Sequence, residues 1–466
     1  MYRWCGYAVT LTLFLLAGCG PDPLADSSWP DSRPLGESLA TYRPPSDTVG
    51  LSDDQFEQLE PTGELTLRQA MALAVVRNPS LRAFALDVRR AEAHMLQAGL
   101  WSNPELEAEF ENFAGDGPFS GIDSLETTIS IAQTFPIGGD IARRSELARY
   151  EAQLAGWDYE AARLDVLTEV TTRYVESLAA QRNLAVAQEA LQLAERVRET
   201  TRKRTEAGDA PPIELARAEV PVATAGIDVR AAERELAAAL KRLALAWGAN
   251  TPTFDRLSGN LDDLGRPPTV DDLILLINQS PEVARWATEI SARRAEARLL
   301  EAEAVPDVTG RLGFRDDQGE SARALVVGVS LPLPIFDRRQ GDILAARLGT
   351  AGAIERQRAA ELRLEAMLSD GYARLIGAYD EAVAIRDQAL PPAVEAFEVT
   401  RLAFEQGDLE FIDVLDAERT LIELRQRHVD ALRAYHTSAA EIEGLIGSPL
   451  RSMTAREEAG DPGDTE

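Results

Sequence analysis

The stretch Glu105-Leu106-Glu107-Ala108-Glu109-Phe110-Glu111 decides how this chain is read. Its even positions are apolar and every odd position is a carboxylate, a strict period of two. A helix would smear those charges around its circumference, whereas a strand sorts them onto one face. The predicted strand covers 105–113. A second follows over 124–135, with Leu125, Ile129, Ile131 and Phe135 on one side and Ser124, Glu126, Thr128, Ser130 and Thr134 on the other.

The pattern returns later in the chain. Val308, Leu312 and Phe314 oppose Asp307, Thr309, Arg311 and Arg315 in a strand at 307–316, and Leu325, Val327, Val329, Leu331 and Leu333 share one face of a strand at 323–333. Strands of about 9–11 residues are the length a tilted strand needs to cross a bilayer. For any one strand the alternative is a small half-buried sheet on a soluble protein. Jointly, two hairpins with one greasy face, one charged face and no partner layer describe strands between lipid and water better than strands over a core. Four strands cannot close into a barrel, and open edges are not tolerated in hydrocarbon, so several chains must share one barrel. Three copies give an even, antiparallel barrel of twelve strands, wide enough for a lumen.

The hairpins sit inside a duplication. Arg77-Asn78-Pro79-Ser80-Leu81 is answered by Gln279-Ser280-Pro281-Glu282-Val283, Thr134-Phe135-Pro136 by Leu333-Pro334, Glu206-Ala207-Gly208-Asp209 by Glu405-Gln406-Gly407-Asp408, and Ala218-Glu219 by Ala417-Glu418. A near-constant offset of about 200 residues implies two copies, at 64–250 and 268–447, joined by a linker at 251–267. Two copies are too few for a solenoid, so they are expected side by side.

Each copy opens with a helical run, Leu67 to Leu100 and Val270 to Ala304, ended by Pro104 and Pro306. After each hairpin comes a long run, Ile141 to Ala207 and Asp337 to Gln406, then a tip at 207–212 or 406–410, then a return helix, Ile213 to Trp247 or Phe411 to Ile446. At about 1.5 Å per residue the long runs reach on the order of 100 Å, the height of a tall helical cylinder. A coiled coil or helical bundle explains the helices equally well but not the hairpins. Pro221 and Pro391-Pro392 predict kinks or a break. Gly208 and Gly407 fit left-handed helix ends, and Asp209 and Asp408 are expected to cap the helices that follow.

The chain ends add an address. Residues 1–18 have the layout of a secretory signal, with an apolar stretch from Val9 through Leu16 that is too short to span a bilayer. Leu16-Ala17-Gly18-Cys19 resembles the bacterial lipobox, which implies diacylation of Cys19 and its exposure as the first residue of the mature chain. Gly20 after it implies sorting to the outer membrane, by the same resemblance. A plain signal peptide with a chance cysteine is the alternative. Residues 19–63 read as a lipid anchor and extended linker, with seven prolines between 20 and 63, and 448–466 as a disordered acidic tail. With 77 acidic against 48 basic residues and a net charge of −29, the chain lacks the basic surface a nucleic-acid partner requires.

The order of elements, the duplication and above all Phe404-Glu405-Gln406-Gly407-Asp408-Leu409-Glu410-Phe411-Ile412-Asp413-Val414-Leu415-Asp416-Ala417 resemble the TolC family of outer-membrane efflux proteins, from Leu65 to Gly447. The resemblance implies an α+β membrane protein. Each chain would be one protomer of a trimeric 12-stranded β-barrel, four strands per chain, continued by a long α-helical periplasmic barrel and built on an internal two-fold repeat. It implies a homotrimer in the outer membrane, lipid-anchored and reaching into the periplasm, partnered by a periplasmic adaptor protein and an inner-membrane pump. The tips at Gly208, Asp209, Gly407 and Asp408 would meet the adaptor. Gln133-Thr134-Phe135-Pro136-Ile137-Gly138-Gly139 is similar to the heavy-metal efflux branch, which implies metal cations as cargo. Drug efflux and type I secretion stay open, and a periplasmic adaptor or structural coiled-coil lipoprotein is the competing reading.

In that family the helix after the second tip carries two aspartates facing the narrow end of the duct. Asp413 and Asp416 stand at i and i+3, on one helix face, and three copies make a ring of carboxylates that attracts cations. Ordinary solvated helix surface is the alternative. Glu214 and Arg217 hold the equivalent places in the first copy, so that tip is only half acidic.

No metal site is expected. His94, His428 and His436 lie in no cluster of metal-ligand spacing, and no phosphate loop or nucleophile elbow occurs, so the chain is read as no enzyme and as needing no cofactor beyond covalent lipid on Cys19. If Arg217 pairs with Asp416 or another tip acid to hold the entrance shut, Arg217→Ala raises leakage of small polar antibiotics; unchanged susceptibility at normal expression removes the pairing.

Overall fold

The computed structural model describes residues 28–44, 63–278 and 280–450. The signal segment, Cys19 and the tail from 451 lie outside the described residues. Each copy contributes two helices, a hairpin and two or more longer helices. The first holds α1 (Leu67–Arg77), α2 (Pro79–Ala98), β2 (Glu105–Glu111), β3 (Glu126–Phe135), α3 (Asp140–Ala207) and α4 (Pro212–Leu245). The second holds α5 (Val270–Ile277), α6 (Pro281–Glu303), β5 (Val308–Asp317), β6 (Ala322–Ser330), α7 (Gln340–Ala384), α8 (Leu390–Gln406) and α9 (Phe411–Ile446). Two short strands, β1 (Gly63–Leu65) and β4 (Phe254–Leu257), complete the set. No described helix is long and apolar enough to cross a membrane.

The opening helices are not continuous, contrary to the runs expected over 67–100 and 270–304. Asn78 ends α1 and caps α2, accepting from the Leu81 N–H (3.0 Å) while its Nδ2 donates to the Ala246 carbonyl (2.8 Å). Pro79 cannot donate to the previous turn but suits the first turn of a new helix. Ser280 and Pro281 repeat the arrangement at α6. The other prolines act differently. Pro221 lies inside α4, which runs on through it. Ahead of Pro391-Pro392 the chain widens into a π-helical turn at Ile385–Ala389, and the helix runs on through two residues that have no N–H to donate.

The four long strands form one antiparallel sheet in the order β2-β3-β5-β6. The copies therefore meet along β3 and β5, where Ile129 faces Phe314 and Ile131 faces Leu312. Both strands of the first hairpin are shorter than expected. β2 stops at Glu111 because Asn112 and Ala114 take positive φ, and a loop carrying a short 3-10 turn at Gly117–Phe119 intervenes before β3. β6 ends at Ser330 because Pro332 and Pro334 have no N–H for the ladder.

Residues 251–267, read as a linker, instead supply β4, which pairs in parallel with β1. Leu65 and Leu257, paired with each other in this ribbon, are buried, and the Tyr174 hydroxyl donates to the Leu65 carbonyl (2.9 Å). The largest core cluster lies here, around Leu65, Leu73, Leu81, Leu167, Val170, Leu243 and Trp247. The 68 residues of α3 contribute more to it than any other element and pack on α1, α2, α4, α6 and α9.

Residues 28–44 form no helix or strand but lie against the middle of α3. Arg163 and Glu160, both on α3 and both buried, pair at 2.7 Å. Arg163 then donates to the carbonyls of Leu35 (3.0 Å) and Arg33 (3.2 Å), and Glu160 accepts from the Arg33 N–H (2.7 Å). Trp29 meets Tyr159 edge to face, and the Leu35 N–H reaches the Gly447 carbonyl (3.0 Å). Gly156 is required by this contact, since a Cβ there would sit 1.9 Å from the Ser28 carbonyl. Arg163→Met leaves a buried carboxylate without its cation, so a loss of about 3–5 kcal/mol is expected. It should appear as a lower melting midpoint in detergent with faster proteolysis between 28 and 44; an unchanged melt shows that the pair does not hold this strap.

Candidate functional site

Two regions carry the chemistry, the helical tips and the polar face of the sheet. Both tips are built alike. At the first, the Gly208 N–H donates to Thr205 (3.1 Å) and the Asp209 N–H to Arg204 (2.8 Å); at the second, Gly407 donates to Phe404 (3.1 Å) and Asp408 to Ala403 (2.9 Å). This paired closure uses a left-handed residue, and φ is 85° at Gly208 and 88° at Gly407. The expected capping by Asp209 and Asp408 does not occur. Pro211 and Glu410 hold the N-cap positions of α4 and α9, because the turns need two or three more residues before the next helix begins.

Asp413 has a structural role that its spacing did not reveal. Its Oδ2 accepts from the Glu410 N–H (3.1 Å) and completes a capping box that starts α9. It remains exposed, as does Asp416 three residues on. In the first copy Arg217 is exposed and Glu214 half-buried. The protomer does not bring Arg217 and Asp416 together as an ion pair.

Arg204, unmarked in the sequence except as a cation in the last turn of a helix, ties the two tips together. Its Nη1 donates to the Phe404 carbonyl (2.9 Å) and its guanidinium lies 4.6 Å from the centroid of the Phe404 ring. Phe404 in turn packs on Phe411, at 6.1 Å between centroids, over a cluster with Leu193, Val197, Ala218, Phe397, Val414 and Leu421. Two further tip cations, Arg202 and Arg401, are held by neighbours on their own helices. Arg202 bonds Glu199 (2.7 Å) and Glu206 (2.5 Å), and the hydrogen bond from Arg202 holds the Glu199 carboxyl down at about 2. Arg401 bridges Glu398 and Glu405.

At the other end of the helices the sheet has two unlike faces. Leu106, Ile129, Ile131, Leu312, Leu325, Val327 and Val329 are exposed, Leu325 by 77%. On the opposite face Arg311 pairs with Glu107 (3.3 Å), Arg315 with Glu111 (3.8 Å) and with Glu126, and the Arg315 Nε donates to Thr128 (3.0 Å). Trp101, Phe135 and Phe336 are exposed where strands meet helices, the level at which aromatic side chains sit in membrane barrels. Within the chain β2 and β6 each leave one edge unpaired.

The stretch from Gln133 to Gly139 makes the turn between strand and helix. Gln133 Nε2 donates to the Ser102 carbonyl (3.1 Å), a Cβ on Gly138 would lie 2.2 Å from the Ala302 carbonyl, and Gly139 has φ 75°. Among the described residues no group of three or more His, Cys, Asp and Glu side chains could hold a metal ion. His436 Nε2 lies 2.8 Å from the Leu261 carbonyl, His94 is exposed, and burial pushes the His428 imidazole below its usual range.

The outer membrane efflux protein model matches the chain twice, over residues 70–249 and 274–448. The chain belongs to this family. Among its relatives, the cobalt-zinc-cadmium resistance protein CzcC of Cupriavidus metallidurans is 29% identical over 419 residues, covering 89% of this efflux protein and 98% of its own chain. The nickel-cobalt-cadmium resistance protein NccC of Alcaligenes xylosoxydans xylosoxydans is 28% identical, over 66% of each chain. A crystal structure of CusC, described for the conformational changes accompanying its folding and transmembrane channel formation, superposes with a TM-score of 0.69 at 18% identity, over 88% of this chain and 99% of that one. The fold of the efflux family thus accounts for the sheet, the long helices and both tips.

Arg204→Ala removes the hydrogen bond and the ring contact that join the tips, expected to weaken their packing by about 1–2 kcal/mol. Amide exchange over 404–410 should quicken roughly tenfold, with Arg204→Lys restoring little because a point charge cannot both bond and stack. Equal exchange in all three proteins leaves Arg204 without this role.

Proposed function

We propose that the chain is the outer-membrane duct of a tripartite efflux system, a passive conduit through which an inner-membrane pump and a periplasmic adaptor export metal cations. The observation that carries this reading is the single sheet with an apolar exposed face, an ion-paired polar face and two open edges. Such a sheet is stable in hydrocarbon only if the edges are paired, and β6 of one chain lies in the antiparallel sense required to join β2 of the next. Three chains close a twelve-stranded barrel with the exposed leucines, isoleucines and valines toward lipid and the Glu and Arg ladder toward the lumen. The helices continue this wall into the periplasm, and the tips at Gly208, Asp209, Gly407 and Asp408 form the end available to an adaptor.

The conduit needs no resident metal or catalytic group. Its chemistry is electrostatic: carboxylates in a narrow passage favour cations and oppose anions. Asp413 and Asp416 are solvent-facing at the tip and supply six such groups in a trimer. The resistance functions named for CzcC and NccC support divalent metal cations as cargo. Cys19, once acylated, would hold the N-terminus at the membrane surface, with about 0.8 kcal/mol from each buried methylene.

Single-channel recording of the purified trimer in a planar bilayer tests this reading. Because Asp413 caps α9, Asp413→Asn with Asp416→Asn removes charge while keeping an acceptor at the cap. Wild type is expected to give cation-selective openings and the double variant openings of reduced selectivity. Equal selectivity discards the gate and keeps the duct. A stable monomer that forms no channel overturns the duct.

A further inference from the structure

Glu418 is a buried carboxylate that neither the capping of α9 nor the tip turns use. It lies on a helix stripe with Phe411, Val414 and Leu421, the face of α9 that packs into the tip cluster, and is 7% exposed. Its Oε2 is enclosed and no hydrogen bond reaches it. An apolar residue would fill this place at no desolvation cost, so an acid here carries a penalty that only its protonated form relieves. The corresponding acid of the first copy, Glu219, is exposed. Of the two equivalent helices, only the one bearing Asp413 and Asp416 buries its acid at this position.

We propose that Glu418 is a proton-sensitive positioning residue for the duct entrance, its neutral form holding α9 against α3 and its ionised form loosening the helix that carries Asp413 and Asp416. The entrance role of α9 rests on the function proposed above.

The surroundings support a single titration. Arg196 of α3 is the opposing charge acting on Glu418, and it is itself exposed. α4 contributes Ala218 to the cluster, and α8 contributes Phe397 and Phe404, none of them charged. Arg401 of α8 is occupied by Glu398 and Glu405, and Arg419, next along α9, bonds Glu423. Burial outweighs Arg196 and pushes the Glu418 carboxyl up to about 7, against 4.5 in water. The packed state therefore binds the proton more tightly than a loosened state in which Glu418 meets water. Packing is fully retained below 4.5, weakens as pH rises from there to about 7, and changes no further above it. Each pH step of one within that window lowers the ratio of packed to loosened tips about tenfold, so the whole window lowers it by on the order of a hundredfold.

Glu418→Gln keeps the shape and fixes the neutral form. Trimers of the wild type and of Glu418→Gln are digested in parallel at steps from about pH 4.5 to 8, and cleavage in the turn at 404–414, which leads into α9, is quantified. Dividing the wild-type rate by the variant rate at each pH cancels the protease's own titration. The expected ratio is near one at the acid end and rises at least roughly tenfold by about pH 8, while cleavage at 28–44, remote from the tip, keeps a constant ratio. A ratio that stays flat overturns the proposal, as does one that rises equally at both places. Because the readout is proteolysis, it stands whether or not the trimer conducts; failure of conduction alone counts against the duct and not against the titration of Glu418.

Discussion

A strand edge in hydrocarbon leaves N–H and C=O groups that nothing else can satisfy, and in the duct proposed above the rest of the molecule is arranged around that constraint. The sheet β2-β3-β5-β6 ends in two such edges and offers no covering layer. Duplication supplies the first part of a solution, since two hairpins joined along β3 and β5 halve the number of open edges per hairpin. In the trimer proposed above, further copies would supply the remainder. The ion pairs Arg311–Glu107 and Arg315–Glu111 run across strands on the polar face, so the ladder is braced on that side and left smooth on the apolar one.

A sheet of this kind gives little core within one chain, and the packing is displaced onto the helices. α3 serves as the common support: the main cluster lies against its middle, the strap at 28–44 crosses it, and its C-terminal end reaches the second tip through Arg204. The buried pair of Arg163 and Glu160 gives the strap a fixed address, because the guanidinium has no water to turn to and needs the two strap carbonyls. The same helix therefore meets the N-terminal segment at its centre and the entrance at its end.

Much of this was legible in the residues. Alternation of Glu with Leu, Ala and Phe over 105–111 allows no fold but a strand with two unlike faces, and glycine in Glu-Ala-Gly-Asp and Glu-Gln-Gly-Asp announces a left-handed helix end whatever surrounds it. What remained hidden depended on tertiary partners. Asn78-Pro79 reads as an interruption only once Ala246 is seen to take the Asn78 amide, and the parallel ribbon of β1 and β4 is too short for a periodic signal. Pro391-Pro392 announced a disturbance, but nothing in the residues specified its form, a π turn over Ile385–Ala389. At the tips, the i and i+3 spacing of Asp413 and Asp416 was visible, but the bond from the Glu410 N–H to Asp413 was not separable from an ordinary acidic surface. Glu418 was within reach of the sequence, as the one acid on the stripe Phe411, Val414, Leu421.

The two copies share a fold and have diverged where function demands it. At the strand-to-helix turn the first copy uses Gly138 and Gly139 for a close crossing at Ala302, whereas the second holds Arg339 at φ 53° and pairs it with Glu303 (2.9 Å). At the tips the glycines are equivalent but the charges are not: Glu214 and Arg217 nearly neutralise one helix, while Asp413 and Asp416 leave the other acidic. Burial of Glu418 beside an exposed Glu219 follows the same division. A symmetric repeat would present identical helices to the lumen and to the outside of the cylinder, and the two surfaces could not then differ in charge. In the duct proposed above this divergence would let one helical pair serve the wall and the other the passage, while Arg204 and Phe404 hold the pairs together.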